Sequence, residues 1–275
     1  MKKILVFDAY NMIHIARFGL PEDGGNQIAY NFINKYKYVR SQFDADEVYF
    51  VIDGYPKFRY ELYPEYKANR NQKELTEEEV LYWEEFKKQK RLIVSMLKDK
   101  IPCKFVYHKD VEGDDMVYHV VKNLLPRENC EITIISSDTD YIQILSELDN
   151  VKLWTPVKQH YRESTDYDYV AWKAMVGDTS DNIKGVKGIG KVRAEKILKS
   201  GSLESSLQDE SFKSQFSQSY SLIKLNSDLK EFEDLEILDE NLSSDELRSY
   251  MAELGFNSFV GDNWASVSKE LGYDC

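Results

Sequence analysis

The sequence has few of the residues that build disulfide frameworks or zinc sites. Its 275 residues include three cysteines and four histidines. The cysteines are far apart in the chain, which argues against both a disulfide framework and a CxxC-type zinc site. The histidines are also scattered, and we assign none of them to a metal. The cysteines are Cys103, Cys130 and Cys275, and the histidines are His14, His108, His119 and His160.

Long apolar runs are missing as well. The longest, such as residues 4–7 and 132–135, have the length of β-strands, whereas a membrane span requires about 20 apolar residues. Asp8 interrupts the first run and no small-residue cleavage pattern follows, so we predict no signal peptide. With 42% hydrophobic residues the composition is that of a globular protein. We expect a soluble, cytoplasmic chain with one large core or two packed units.

Basic residues are outnumbered, and the net charge of −12 is unusual for a protein that binds nucleic acid. The excess of acid is concentrated near the C-terminus, because residues 201–275 contain 16 acidic and 5 basic residues. The first 200 residues are nearly balanced, with 32 acidic and 31 basic residues. A polyanionic ligand is therefore compatible with the composition of this larger part.

Aspartates follow three predicted β-strands. The runs KKILVF, EVYFVI and EITIIS are separated by segments of helical periodicity and length, an alternation that predicts a parallel α/β sheet. Asp8 and Asp53 directly follow the first two runs, and Asp138 follows the third after one more serine. One such aspartate alone is typical of a helix N-cap or a turn. Ligands bind beyond the carboxyl ends of the strands in such sheets. An aspartate at the end of all three predicted strands therefore indicates a shared site.

Six further acids lie at the ends of neighbouring elements, in the strings VEGDDMVYHVV, SSDTDY and GDTSDN. Acids in a first helical turn are favoured by the helix dipole, which explains one or two of them. Nine anions at one edge of a sheet would repel each other strongly unless cations were present. The nine are Asp8, Asp53, Glu112, Asp114, Asp115, Asp138, Asp140, Asp178 and Asp181.

A carboxylate-rich, histidine-poor site suits magnesium or manganese and does not suit zinc. So many acids predict a pair of ions, and paired ions stabilise the attacking and leaving oxygens of a phosphoryl displacement. Phosphodiester hydrolysis is the chemistry that this set of residues favours.

A glycine-rich string, GDTSDNIKGVKGIGKVRAEKILK, follows the last acids. Its glycines permit a tight hairpin whose N–H groups face phosphate oxygens, and the next helix adds its dipole. Six basic residues and one acid lie between positions 184 and 199. A lone GxG would indicate only an interhelical turn, whereas the whole string predicts a helix-hairpin-helix at about 182–199. Its predicted nucleic-acid-binding residues are Lys184, Gly185, Lys187, Gly188, Gly190, Lys191 and Arg193.

These motifs together resemble the 5′ nuclease (flap endonuclease) superfamily, particularly the stand-alone bacteriophage enzymes of the phage ribonuclease H type and the 5′ nuclease domain of bacterial DNA polymerase I. The resemblance extends from Leu5 to about Lys199 and includes the E-x-D-D, D-x-D and GD-x-x-D strings. One small departure is Gly113, where many relatives have alanine. The resemblance implies a PIN-like parallel central sheet flanked by helices, with a helical arch and a C-terminal helical subdomain that contains the helix-hairpin-helix (helix-three-turn-helix).

The resemblance also implies roles for the charged segment at about 58–100. Its PEYKANR string resembles the family motif at the base of an arch through which a single strand passes. Lys67 would contact the scissile phosphate and Arg70 would clamp a phosphate, while Tyr66 is of the type that stacks on bases. Lys67, Arg70, Asp8 and Asp138 are the predicted catalytic residues. The implied cofactors are two Mg²⁺, replaceable by Mn²⁺, and a K⁺ at the helix-hairpin-helix.

The implied activity is hydrolysis at 5′ flaps, nicks, gaps or RNA primers paired to DNA during replication or repair. We expect a monomer, in the host cytoplasm if the chain is phage-encoded, with replication proteins such as a sliding clamp or a single-strand-binding protein as partners. Two other classes stay open. A PIN-type ribonuclease acting on unpaired RNA would lack the arch and the hairpin, and a non-catalytic branched-DNA adaptor should have lost some of the nine acids.

We predict an α/β nuclease domain at 1–165 and a helical DNA-binding subdomain at 166–275 with an acidic C-terminal part. In the charged segment, Thr76 and Glu79 match a capping box, which predicts a helix from about Thr76 to Lys98. The serine-rich stretch from Ser200 to Ser219 has the composition of a loop or linker. Beyond it, the spacing of apolar residues from Leu235 to Leu254 predicts packed helices.

Overall fold

A seven-stranded sheet in the order β6-β5-β4-β1-β2-β3-β7 runs through the molecule. The computed structural model describes residues 1–18, 25–71 and 75–273. The strands are β1 (Lys2–Asp8), β2 (Glu47–Ile52), β3 (Lys104–Tyr107), β4 (Cys130–Ile135), β5 (Val151–Thr155), β6 (His160–Arg162) and β7 (Glu236–Leu238).

The predicted parallel sheet is confirmed for the three predicted strands, β1, β2 and β4. β3 and β5, which were not predicted, pair in parallel on either side of them and complete the inner sheet β5-β4-β1-β2-β3. Both edges differ from the prediction, since β6 pairs antiparallel with β5 and β7 pairs antiparallel with β3. An antiparallel neighbour needs no crossover helix, so a short segment returning along an edge can join the sheet. β6 and β7 have three residues each, too few for an alternating pattern to be visible in the sequence.

Helices cover both faces of the sheet. They are α1 (Ala9–Ala16), α2 (Gln27–Phe43), α3 (Lys57–Leu62), α4 (Glu77–Asp99), α5 (Gly113–His119), α6 (Ile142–Leu145), α7 (Tyr169–Val176), α8 (Lys191–Lys199), α9 (Leu203–Ser206), α10 (Glu210–Ile223), α11 (Ser244–Glu253), α12 (Asn257–Val260) and α13 (Trp264–Leu271). A π-helical turn, Val120–Leu124, continues α5. None of the described helices is long and apolar enough to cross a membrane.

The predicted helix after Thr76 is confirmed, together with its capping box. The Thr76 side chain accepts from the Glu79 N–H, and the Glu79 side chain accepts from the Thr76 N–H. Residues 72–74, which connect the base of this arch segment to α4, lie outside the described residues. The arch helix α4 is therefore described in full, and its connection to the preceding segment is not.

The prediction of a loop or linker at Ser200–Ser219 is wrong, because α9 and most of α10 lie there. Serine is a weak helix former, but apolar residues at helical spacing outweigh that preference when they are buried. Phe216 and Leu222 of α10 are buried and join a cluster with Val170 and Met175 of α7.

The C-terminal segment returns to the sheet. The predicted helices are present as α11–α13, and α13 packs against α2. Leu247 and Trp264 belong to the same apolar core as Phe7 of β1, whereas α7, α8 and α10 form a separate cluster. The part of the chain after Leu235 therefore packs on the α/β unit, and the boundary at about residue 165 stays a prediction.

Two of the cysteines, Cys103 and Cys130, are buried and free, while Cys275 lies outside the described residues.

Candidate active site

The three strand-end aspartates meet at one edge of the sheet. Asp8 is the last residue of β1, Asp53 follows β2, and Asp138 follows β4 after Ser136 and Ser137. Because β4, β1 and β2 are adjacent parallel strands, their carboxyl ends lie side by side. Asp114, in the first turn of α5, completes a group of four that we call the acidic quartet.

No described residue forms an ion pair with any member of the acidic quartet. Burial, with repulsion from Asp53 and Asp138, raises the pKa of Asp8 to about 7. Burial and repulsion from Glu112 raise the pKa of Asp53 to about 6. Burial and repulsion from Asp138 hold the pKa of Asp114 well above its usual range. Lys67 and Lys90 attract the Asp53 charge from a distance, but the quartet is a concentration of negative charge that no ion pair among the described residues neutralises.

Hydroxyl and amide groups hold the quartet in place. The Tyr141 hydroxyl donates to Asp114 Oδ1 at 2.7 Å, and the Ser136 hydroxyl donates to Asp8 Oδ2 at 3.0 Å. The Gly113 N–H donates to Asp53 Oδ1. A Cβ atom at position 113 would lie 2.5 Å from that same oxygen, so the glycine lets Asp53 approach the start of α5.

Two further predicted ligands are bound by Arg59, a buried residue of α3. Its guanidinium contacts both oxygens of Asp115 and lies 3.2 Å from Glu112 Oε2. The Asn226 N–H also donates to Asp115 at 2.8 Å. Asp115 is 1% exposed, and both of its oxygens are engaged by this network, which ties α5 to α3 and to the segment after α10.

Lys67 lies at the junction of the arch base and the carboxylates. Its Nζ contacts Glu112 Oε1 and lies 3.9 Å from Asp181 Oδ2. Burial would raise the pKa of Glu112, but Arg59 and Lys67 outweigh it and lower that pKa. Lys67 has a left-handed backbone, with φ of 57°, and its N–H donates to the Asp181 carbonyl at 3.0 Å. This conformation is uncommon for lysine, and the contact with Asp181 secures it.

The loop that contains Asp181 binds the rest of the arch base. Arg70 Nη2 donates to Asp181 Oδ1 at 2.6 Å. The Tyr66 hydroxyl lies within hydrogen-bond distance of two acids, 3.0 Å from Asp181 Oδ2 and 3.1 Å from Glu112 Oε2. Asn182 Nδ2 donates to the Glu65 carbonyl at 2.7 Å. Tyr66 is 3% exposed, so its ring is not presented for base stacking; its hydroxyl instead orients two acids.

The last two acids, Asp140 and Asp178, share one cation. Lys173 Nζ of α7 contacts Asp140 Oδ1 and lies 2.6 Å from Asp178 Oδ2. Burial raises the pKa of Asp140 to about 6 despite the attraction of Lys173. Burial would also raise the pKa of Asp178, but Lys173 and two hydrogen bonds from Ser180 outweigh it and lower that pKa to about 2.

All nine predicted carboxylates thus lie in one connected region, but they differ in their partners. Four have no ion pair among the described residues, and five are paired with lysine or arginine. No three His, Cys, Asp or Glu side chains of the described residues converge at metal-binding distances. The donor chemistry of the quartet nevertheless fits a hard divalent cation, since such ions take carboxylate oxygens as ligands and a cation would relieve the repulsion among the four acids.

The predicted hairpin residues lie beside this region. Gly185 and Gly188 have φ of 67° and 79°, values that favour glycine. A Cβ at Gly185 would collide with the backbone of Gly177, whereas one at Gly188 would meet open space. The first N–H groups of any helix have no intrahelical partner. α8 begins at Lys191, and its N-cap residue, Gly190, has no side chain that could accept from them. The basic residues Lys184, Lys187, Lys191 and Arg193 are exposed.

Three residues of the site were not among the predictions. Lys173 stands alone in the apolar helix YVAWKAMV, and a single lysine there was an available signal. Arg59 and Tyr141 lie in ordinary surroundings in the sequence, and nothing in the pattern of residues distinguishes them. Their roles depend on which segments the fold places together.

Comparison with known proteins identifies the family of this chain. Residues 3–174 match the family model described as the 5′-3′ exonuclease, N-terminal resolvase-like domain. The chain belongs to this family. It is 31% identical to the flap endonuclease of Escherichia phage T5 over 156 residues, which are 53% of each protein. It is 30% identical to the thermostable DNA polymerase I of Thermus thermophilus over 222 residues, 75% of this chain and 25% of that protein.

The match thus spans about half of the phage relative and a quarter of the polymerase. Two solved structures show the same fold. One is a bacteriophage T5 flap endonuclease in a pseudo-enzyme-product complex with DNA and metal ions, with a TM-score of 0.67 and 19% identity, covering 98% of both chains. The other is T5 5′-exonuclease with bound divalent zinc ions, with a TM-score of 0.65 and 20% identity, also covering 98% of both chains.

Proposed function

We propose that this protein is a structure-specific 5′ nuclease. It hydrolyses phosphodiester bonds at 5′ flaps, nicks or gaps in DNA, or in RNA primers paired to DNA. The observation that carries the proposal is the acidic quartet, four half-buried carboxylates without an ion-pair partner among the described residues, beside Lys67 and the predicted hairpin. Membership of the 5′-3′ exonuclease family and the similarity to a flap endonuclease support it.

The proposed cofactors are two Mg²⁺, with Mn²⁺ as a substitute. When bound, they would neutralise the carboxylates and make coordinated water a better nucleophile. Asp8, Asp53, Asp114 and Asp138 would hold one ion, and Glu112, Asp115, Asp140, Asp178 and Asp181 are the other proposed ligands. Attack of water on phosphorus would break the bond to the 3′ oxygen, leaving a 5′-phosphate on one fragment and a 3′-hydroxyl on the other.

Lys67 is proposed to stabilise the charge that develops on the scissile phosphate. Its ammonium now contacts Glu112, so substrate binding would exchange a carboxylate for a phosphate oxygen at the same cation. Arg70, which is exposed and bound to Asp181, would clamp a neighbouring phosphate. Tyr66 would act through its hydroxyl, by keeping Glu112 and Asp181 at fixed positions.

The helix-hairpin-helix would hold the duplex by its backbone. Free N–H groups at the start of α8 and the exposed basic residues around Gly188 and Gly190 are suited to phosphate oxygens, with a K⁺ as a proposed bridging ion. Such contacts position the duplex without reading its sequence. The wider proposal is a monomer in the cytoplasm, the host's if phage-encoded, that works with a sliding clamp or a single-strand-binding protein.

The test is cleavage of a 5′-labelled flap substrate with Mg²⁺. We expect Asp138→Asn and Lys67→Ala each to lower the cleavage rate by about 100-fold or more while duplex binding is retained. Lys152→Ala, which removes a surface cation paired with Glu131, is the matched control and should cleave normally.

Unchanged cleavage by Asp138→Asn would refute the proposed metal site. Absence of cleavage of every 5′-ended DNA or RNA substrate by the wild type would favour a non-catalytic adaptor. Preferential cleavage of unpaired RNA without a 5′ end would favour a PIN-type ribonuclease.

A further inference from the structure

Lys173 is a buried cation that joins two acids from different parts of the fold. Its side chain is 10% exposed and projects from α7. Asp140 comes from the loop after β4, and Asp178 from the segment that leads into the hairpin. The Lys173 ammonium contacts both carboxylates. It therefore links the loop at the sheet edge to the segment that precedes the predicted duplex-binding residues.

The carboxylate of Asp178 is already occupied on both oxygens. Oδ2 receives Lys173 at 2.6 Å, and Oδ1 receives the Ser180 N–H at 2.8 Å and the Ser180 hydroxyl at 2.6 Å. A divalent ion at this position would have to displace a charged partner. An ion at the acidic quartet would displace none, because no described residue forms an ion pair with the quartet.

We propose that Lys173 is a built-in counter-ion for Asp140 and Asp178, so that the free protein holds a tight divalent ion only at the acidic quartet. The inference rests on the proposed metal dependence and deepens it. Lys173 is a positioning residue, since it acts through the two acids. When no second ion is present, its ammonium balances the charge of Asp140 and Asp178 and holds both carboxylates in position.

Removal of this cation would leave two facing carboxylates without compensation. Two uncompensated carboxylates bind protons or a cation. Removal of one partner of a buried ion pair also strongly destabilises the folded protein. The Lys173→Met variant, free of substrate, should therefore hold a second divalent ion tightly, which the free wild type does not. The variant should also depend on that ion for stability.

The test is Mn²⁺ binding to the full-length protein, measured from the electron paramagnetic resonance signal of the free ion, together with thermal unfolding in EDTA and in Mn²⁺. We expect one tight ion in the wild type and a second in Lys173→Met, bound at least about tenfold more tightly than any second ion of the wild type. The Tm of Lys173→Met in EDTA should fall by at least about 5 °C and recover with Mn²⁺. Lys173→Arg keeps the charge, and Lys152→Met removes a lysine that pairs with Glu131 elsewhere; both should behave as the wild type does.

Two tight ions in the wild type, or unchanged ion binding in Lys173→Met, would overturn the inference. If Lys173→Met does not fold, Asp178→Asn and Asp138→Asn decide the question in the presence of the native lysine. Asp138→Asn should abolish the tight ion, whereas Asp178→Asn should leave its affinity within about threefold; an equal loss in both would overturn the inference. Because no readout is cleavage, an active wild type with these negative results leaves the proposed nuclease function intact.

Discussion

Replacing Asp8 by asparagine should make the metal-free protein more stable. Asp8 is partly buried, and its carboxylate faces the charges of Asp53 and Asp138. Asparagine has the same shape and carries no charge. Its amide oxygen can still accept from the Asn11 N–H, and its amide nitrogen can donate to the Ser136 hydroxyl oxygen, where the carboxylate now accepts at 3.0 Å.

The magnitude follows from the shift in the Asp8 pKa, from 3.8 to about 7. One pKa unit corresponds to about 1.4 kcal/mol, so a fully ionised Asp8 costs up to about 4 kcal/mol of folding free energy. Partial exposure and relaxation of the site reduce this cost, and we expect Asp8→Asn to gain about 2 to 4 kcal/mol in EDTA at pH 8. For a chain of this size that gain corresponds to a rise in Tm of about 5 to 10 °C.

The gain should depend on pH in a defined direction. Between the unfolded and the folded pKa of Asp8, the folded protein keeps a proton that the unfolded chain has released. The contribution of Asp8 to stability is therefore fully present below about pH 4 and is lost as the pH rises through about 7. The difference between variant and wild type should be near zero at pH 4 and largest at pH 8.

The assay is thermal or urea unfolding in EDTA from pH 4 to pH 8, repeated with saturating Mg²⁺. Asp262→Asn, at an exposed position, changes the net charge equally and should show no such trend. Magnesium should stabilise the wild type much more than Asp8→Asn, since binding to the native state alone contributes about 2.7 kcal/mol at 100 times Kd. A variant less stable than the wild type in EDTA across this pH range would refute the reasoning that the quartet is an uncompensated charge cluster.

Two further predictions concern fold stability. Gly185→Ala should lower the free energy of unfolding, measured with urea, by about 1 to 3 kcal/mol, because φ is positive there and an added Cβ would lie 2.5 Å from the Gly177 nitrogen. Gly190→Ala is the control, since its added Cβ would meet open space, and it should be nearly neutral. Equal effects would contradict this account of the hairpin. Arg59→Met should lower the free energy of unfolding by about 3 to 5 kcal/mol in the same assay, because it leaves Asp115 buried and unpaired. Lys152→Met removes one partner of an exposed ion pair and should lower it by less than about 1 kcal/mol. A small loss for Arg59→Met would show that Asp115 is not held by that ion pair.

The sequence was sufficient for three of the five inner strands and for the edge of the sheet at which their aspartates meet. Apolar runs of strand length, each followed by an aspartate, identify β1, β2 and β4, and a parallel sheet brings their carboxyl ends to one edge. The capping box before α4 is equally local, because both of its hydrogen bonds join residues three apart. The edge strands β6 and β7 were not predictable, since three residues carry no period and their pairing is with distant segments.

The sequence by itself determined that nine acids belong to one region, because their positions at element ends follow from the alternation of strands and helices. It could not determine which of them carry uncompensated charge. That depends on Lys173, Lys67 and Arg59. Each contacts an acid that is distant in the chain: Lys173–Asp140 is separated by 33 residues, Lys67–Glu112 by 45 and Arg59–Asp115 by 56. Coulomb interactions act through space, and a pKa responds to burial and to neighbours that only chain folding supplies. The division between the acidic quartet and the five ion-paired carboxylates was therefore decided by tertiary structure alone.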